Sequence, residues 1–267
     1  MNIQDVLQNE REVIEAFCRK HAQYAFLGGN TGLCRVLGKY KLYVDTRDIS
    51  LTPNLIVDGF WESWITMAMR RIKPGWCCID VGANCGYFSM LMADLVGETG
   101  KVYAFEPQPD LNDLIDKSAR VNGFRHLKVS GCAVSDASGQ SDLVVQRSAP
   151  DNFGSAALVA QPGVLGVTTV TLDAWMYLIQ GGPAHFIKVD AEGHEESIWA
   201  GMQQVLRDRP IVLLEFTPKT LRDPKGFLAE LADYAPLREV STTGNPVAVE
   251  AAEVLDRGDF SMLWLEP

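Results

Sequence analysis

The chain has 267 residues, with 24 Lys and Arg against 34 Asp and Glu, a formal net charge of −10. Hydrophobic residues make up 47% and charged residues 22%, ordinary globular values that exclude a disordered or fibrous chain and supply one sizeable core. An acidic balance of this size also disfavours broad nucleic-acid binding, which needs a basic surface to neutralise phosphate.

Met1-Asn2-Ile3-Gln4-Asp5 has neither the basic start nor the apolar run of a signal peptide. The longest uncharged stretch, Asn152 to Leu172, is broken by Gly154, Pro162, Gly163 and Gly166, so no membrane span is expected. Six cysteines, at 18, 34, 77, 78, 85 and 132, form no C-x-x-C pair and read as free thiols. The expected location is cytoplasmic.

In the first segment Val6, Leu7, Val13, Ile14 and Phe17 share a helical face. After the break at Gly28-Gly29-Asn30, Arg35 to Leu37 and Lys41 to Val44 flank Gly38-Lys39-Tyr40, which predicts a hairpin. Phe60 to Ile72 reads as a helix stopped by Pro74-Gly75. Residues 1–73 are therefore expected to form an N-terminal helix, hairpin and cap helix.

From Trp76 onward, short apolar strands alternate with helical periods. Cys77 to Val81, Lys101 to Phe105, Leu127 to Val134, Phe186 to Asp190 and Ile211 to Phe216 read as strands. Gly86 to Val96 reads as an almost wholly apolar helix, and a second helix carrying Leu111, Leu114, Ile115 and Val121 ends at Asn122-Gly123. This alternation predicts an α/β fold, a doubly wound, mainly parallel sheet covered on both faces. Ligands then bind at the carboxyl ends of the strands, just after Val81, Phe105, Val134, Val189 and Phe216. Residues 137–182 interrupt the pattern with short β-like pieces between Gly, Pro and Ser, and read as an insertion or lid within a 74–267 binding domain. The polar and aromatic residues Asp151, Asn152, Phe153 and Ser155 of that insertion would suit a sugar.

The sharpest motif is Cys78-Ile79-Asp80-Val81-Gly82-Ala83-Asn84-Cys85-Gly86-Tyr87, running from strand into helix. Gly82 permits an unusual turn and Gly86 lets a ligand approach the helix start. Twenty residues after Gly86, Glu106 ends the second strand, where a carboxylate takes both hydroxyls of a ribose. A dinucleotide fingerprint starting at Gly82 would need glycines where Asn84 and Tyr87 stand, which disfavours a nicotinamide oxidoreductase. Asp80, beside the glycine turn, would repel a pyrophosphate and suits a ligand with cationic groups, such as the ammonium and sulfonium of S-adenosylmethionine (SAM).

The second motif is Phe186-Ile187-Lys188-Val189-Asp190-Ala191-Glu192-Gly193-His194-Glu195. It brings polar groups to the same sheet edge. Lys188, between Ile187 and Val189, needs a buried partner, for which Asp190 and Glu192 are candidates. Glu195 and Glu196 read as first-turn acids that favour the helix dipole.

At these two motifs the sequence resembles the FkbM-type family of SAM-dependent methyltransferases. Further matching pieces are Ala104-Phe105-Glu106-Pro107, Ala133-Val134-Ser135-Asp136, Thr171-Leu172-Asp173 and Leu214-Glu215-Phe216, with Cys85 standing where Ile or Val is more usual. The resemblance implies a Rossmann-like, seven-stranded sheet and methyl transfer to a hydroxyl of a sugar, glycan or polyketide-type small molecule. It implies that Asp80, Gly82, Asn84 and Gly86 line the methionine side of SAM, that Glu62 meets its ammonium, that Glu106 holds the ribose, and that Cys132 and Ala133 flank the adenine. His194 is the natural proton acceptor, since an imidazole titrates at about 6.5. Asp190, Glu192 and Lys188 complete the candidate catalytic group. A Mg²⁺ ion is possible and is not expected. The rival readings are a protein side-chain methyltransferase and a catalytically silent nucleoside-binding protein, and a homo-oligomer is possible.

Overall fold

The computed structural model describes residues 3–145, 156–158 and 165–267. The amino-terminal part holds α1 (Ile3–Leu7), α2 (Arg11–His21), β1 (Gln23–Gly28), β2 (Thr31–Val36), β3 (Tyr40–Asp45), α3 (Thr52–Val57) and α4 (Ser63–Ala68). The segment expected to hold one apolar helical face is two helices. Leu7 and Ile14 are buried, whereas Val13 is 52% exposed and lies off that face. The predicted hairpin is β2–β3, and β1 adds an outer antiparallel strand that is exposed almost throughout.

Next come β4 (Cys77–Val81), α5 (Tyr87–Val96), β5 (Lys101–Phe105), α6 (Pro109–Asn122), β6 (Leu127–Ser130) and β7 (Ala133–Val134). They are followed by β8 (Gly139–Val145), β9 (Ala156–Leu158), β10 (Leu165–Val170), α7 (Leu172–Leu178), β11 (Phe186–Val189) and α8 (Glu195–Ala200). The chain ends with β12 (Ile211–Phe216), α9 (Pro224–Tyr234), β13 (Arg238–Val240), β14 (Pro246–Ala248), α10 (Ala251–Asp256) and β15 (Ser261–Leu265).

The main sheet runs β14-β13-β15-β12-β11-β4-β5-β6. The five strands from β12 to β6 are parallel, and β15 inserts antiparallel between β12 and β13. The sheet therefore has eight strands where seven were expected. The eighth, β14, is a three-residue edge strand joined to β13 by a tight turn, too short to leave a periodic signal. The strand expected over Leu127 to Val134 breaks at Gly131. Its second half, β7, leaves the main sheet and pairs with β10 in a small sheet of order β7-β10-β8-β9.

Among the described residues there are two large apolar clusters and a small one of Leu111 and Leu114. One large cluster joins the amino-terminal elements to α5 and includes Leu7, Ile14, Leu42 and Met90; the other lies under α8 and α9 and includes Val189, Ile198 and Leu228. Helix α5 is apolar nearly all round because both the sheet and the amino-terminal elements cover it. The strand order reverses at β4, whose neighbours are β5 and β11, so the crevice at the carboxyl ends opens there. Among the described residues no helix is long and apolar enough to cross a membrane.

Candidate active site

A cleft of about 270 Å³ opens at this switch point. Its floor is the ends of β4, β5, β11 and β12, and its walls include Ser50, Leu51, Trp61 and Glu62 from the amino-terminal elements. Of the residues singled out in the sequence, Glu62, Gly82, Asn84, Glu106, Cys132, Ala133, Lys188, Asp190, Glu192 and His194 line it. Asp80 and Gly86 do not.

Asp80 is fully buried one residue before the end of β4. Its Oδ2 accepts the Ser89 hydroxyl of α5 at 2.5 Å, and its Oδ1 has no hydrogen-bond partner among the described residues. Burial pushes its pKa up, against the pull of Lys188 and of the Ser89 bond. Asp80 thus lies beneath the cleft, where its charge acts on Lys188 rather than on the rim. Gly86, at φ +85, precedes α5, and a Cβ there would stand only 3.0 Å from the Ile115 side chain of α6. Its smallness lets α5 and α6 pack.

Glu106 follows β5 directly and is buried. Its Oε2 accepts the Asn84 backbone N–H at 2.9 Å and its Oε1 that of Gln108 at 3.0 Å. Desolvation pushes it up to about 7 in spite of these bonds. Asn84 takes a left-handed conformation (φ +52), which turns its N–H toward Glu106. One carboxylate thereby ties the loop after β4 to the loop after β5, and the Gln108 side chain also hydrogen-bonds it.

The second motif builds the opposite wall. Lys188 is 1% exposed. Its ammonium bonds Asp190 Oδ2 at 2.8 Å and stands 5.2 Å from the Phe88 ring centre. Burial would discharge this lysine, but Asp190 and then Asp80 outweigh that effect and raise its pKa. Burial likewise opposes the charge on Asp190, which Lys188 and a hydrogen bond with Glu215 overcome, so its pKa is lowered. Glu215, buried against Asp190, is pushed strongly up. Glu62 sits in a left-handed conformation (φ +38) just before α4, and desolvation followed by the Asp190 charge raises it to about 7. Glu192 (φ +53) is at the exposed mouth, and its carboxyl is raised to about 7 by desolvation, Asp190 and Glu195.

His194 precedes α8, with Nε2 3.0 Å from Ser135 Oγ. Burial lowers its pKa, so the ring is neutral near pH 7. Glu195 was expected to serve the helix dipole. Instead it is 1% exposed, and its Oε1 accepts the backbone N–H groups of Ala191 and Gly193, fixing the turn that presents Asp190 and His194. Glu196 accepts the backbone N–H groups of Arg222 and Asp223, anchoring the loop before α9.

Sequence patterns missed the walls contributed by Ser50 and Leu51, and by Phe88, Gln108 and Ile198. Of Trp61, Trp64 and Trp175, Trp61 reaches the cleft. Trp175 packs edge-on against Tyr103 and Phe105, and the Arg11 guanidinium covers Trp64. The described residues of the insertion contribute nothing to the lining, and Asp151, Asn152, Phe153 and Ser155 lie outside the described residues. Among the described residues no group of three His, Cys, Asp or Glu side chains is arranged to hold a metal ion.

The donor set fits SAM. A buried carboxylate at a strand end suits a ribose hydroxyl, the Cys132–Val134 strip offers a slot for a purine, and the carboxylates of the opposite wall suit a cation.

Comparison with known proteins agrees with this fit. Residues 80–235 match the model of the methyltransferase FkbM domain. Curated relatives include the protein-L-isoaspartate O-methyltransferases of Methanococcoides burtonii (29% identity over 87 residues, 31% of this chain and 43% of that protein) and Aeropyrum pernix (42% over 53 residues, 20% of each). The chain thus spans less than half the length of these relatives. Among solved structures, methyltransferase FkbM from Methylobacillus flagellatus is 14% identical with a TM-score of 0.45, over 76% of this chain and 53% of that one. An O-methyltransferase from Bacillus cereus in complex with SAH is 13% identical with a TM-score of 0.42, over 83% of each chain. The family model covers more than half of the sequence, and the chain belongs to the FkbM family of SAM-dependent, Rossmann-like methyltransferases.

Proposed function

We propose that this protein transfers a methyl group from SAM to a hydroxyl of a sugar, glycan or polyketide-type small molecule. The observation that carries this reading is the meeting, in one cleft, of Glu106 on one wall with His194 and the Lys188–Asp190 ion pair on the other. Bound SAM supplies an electrophilic methyl carbon whose leaving group is a neutral thioether.

The chain's own contribution is then alignment and proton management. Glu106 would accept a ribose hydroxyl beside the bonds it takes from Asn84 and from the Gln108 backbone and side chain. Glu62 faces the ammonium. Gly82 keeps the loop after β4 close to the β11 edge, and Cys132 and Ala133 hold the base. His194, neutral because it is buried, takes the acceptor's proton on a ring nitrogen as the oxygen attacks. Asp190, held ionised by Lys188, accepts a hydrogen bond from a neighbouring hydroxyl of a polyol, and Glu192 offers a further acceptor at the mouth. Trp61 beside these carboxylates gives the aromatic-plus-acid surface that suits a sugar ring.

A protein side chain is the second reading, favoured by the local identity to enzymes named for isoaspartate methylation. Incubation with methyl-labelled SAM, a panel of glycans and polyols and an isoaspartyl peptide decides between them. Base-stable label on a glycan supports the first reading, and base-labile label on the peptide replaces it. Titration calorimetry with SAM, SAH and NAD tests the cofactor, and absence of SAM and SAH binding overturns the proposal.

A further inference from the structure

Two carboxyl groups meet at the cleft floor. Asp190 follows β11 and Glu215 lies on the adjacent parallel strand β12; both line the cleft, and their side chains hydrogen-bond each other. Neither group carries a hydrogen when ionised, so a hydrogen bond between them requires one proton on the pair. Lys188 decides where it sits. Its ammonium, 2.8 Å from Asp190 Oδ2, favours the charge on Asp190 and leaves the proton to Glu215.

We infer that Glu215 is a carboxylic acid in the resting protein and a positioning residue for Asp190, which it clamps from one side while Lys188 clamps it from the other. Asp190 is then a carboxylate fixed between a neutral donor and a cation, pre-aimed at the space an acceptor hydroxyl would fill. The trio Lys188, Asp190 and Glu215 carries no net charge, which keeps the floor compatible with a neutral polyol. The Thr217 hydroxyl donates to Glu215 Oε1 at 3.0 Å and fixes the rotation of the acid.

The groups around the pair favour the same assignment. Glu192, from the turn between β11 and α8, and Glu195, the first residue of α8, oppose ionisation of Glu215. Asp190 additionally faces Lys188, and Glu62 and Asp80 each interact with both Asp190 and that lysine. Burial acts in the same direction on Glu215, raising its pKa.

The inference rests on the methyl-transfer reading only for what Asp190 does to an acceptor. The proton itself is tested without SAM or acceptor, so the two can fail separately. Protein labelled with carbon-13 at glutamate side chains is titrated by NMR. At about pH 8, above the value of about 7 to which Glu62, Glu106, Glu192 and Glu195 are raised, one glutamate is expected to remain protonated, and Glu215→Gln should remove that signal. Asp190→Asn removes the neighbouring charge and should move the same titration to lower pH by about a unit or more. Circular dichroism reports whether each variant is folded. If Glu215→Gln does not fold, the wild-type signal and its shift in Asp190→Asn decide the matter. A wild type with every glutamate ionised at that pH, a signal that survives Glu215→Gln, or a titration indifferent to Asp190→Asn overturns the assignment.

Discussion

The backbone carbonyl of Asp190 occupies the place where a side chain on Gly82 would begin. The loop after β4 and the loop after β11 thus pass each other at a separation that only glycine allows, and Gly82 also holds a left-handed φ of +77°. The first motif therefore sets the position of the second.

Gly82→Ala should consequently cost more than conformational strain. Gly123, at φ +79 with open space around it, is the reference. Gly123→Ala pays only the left-handed penalty of roughly 1–2 kcal/mol, and Gly82→Ala should add about 1–3 kcal/mol for displaced backbone. Urea unfolding of the two variants gives the comparison. Equal losses would mean that the loops yield freely.

Glu106 accepts the Asn84 N–H on one oxygen and the Gln108 N–H on the other besides its proposed ribose contact, so circular dichroism must first show its variants folded before binding is read. Glu106→Gln keeps the shape and loses the charge. SAH affinity should fall tenfold or more, since a hydrogen bond to a charged group contributes roughly 1.5–3 kcal/mol. Calorimetry at about pH 8, where the wild-type carboxyl is ionised, is the measurement. Undiminished affinity would remove this cleft wall from the nucleoside site.

Much of the fold was legible because buried parallel strands read as apolar runs and the helices between them as 3.6-residue periods. Ile211 to Phe216 is β12 to the residue. Glu106 and the stretch from Lys188 to His194 were legible as polar residues ending such runs. What escaped had physical reasons. Strand β1 is exposed at nearly every position, so it shows no alternation. Ser50 and Leu51 reach the cleft only through tertiary packing of the amino-terminal elements, which no local pattern encodes. Asp80 looks like a strand-end charge in the motif, yet the pleat turns it into the α5 side of the sheet, onto Ser89. Glu195 looks like a dipole residue because a sequence does not show which first-turn acid folds back onto its own turn.

Burial of carboxyls gives the protein an acid-side stability. Glu106 and Glu195, both buried, are each raised from 4.5 to about 7. For an acid whose folded value exceeds its unfolded one, the folded state binds the proton more tightly. The contribution is therefore complete below the unfolded value and is lost as pH rises toward about 7. Thermal unfolding should show stability declining from about pH 5 to about pH 7, by on the order of 2 kcal/mol for each group. Glu195→Gln retains an oxygen for the Ala191 and Gly193 N–H groups and removes the titration, so it should flatten the slope. A wild-type curve that rises over this interval would contradict the assignment.

His194 supplies the last test, because its proposed role depends on a neutral ring. Burial disfavours the imidazolium and lowers its pKa from the ordinary value of 6.5, against an opposing pull from Asp136. At saturating SAM, kcat should therefore begin to fall at a lower pH than an ordinary imidazole would impose, as the ring takes up a proton. His194→Gln should lower kcat by about 10²- to 10⁴-fold and abolish that acid limb, the range expected when a general base is removed. The KM for SAM should change little, in contrast to Glu106→Gln, whose loss lies in binding. A histidine that only bonds the Ser135 hydroxyl would leave the pH profile of the variant parallel to that of the wild type, and such a profile would return the base to Asp190 or Glu192.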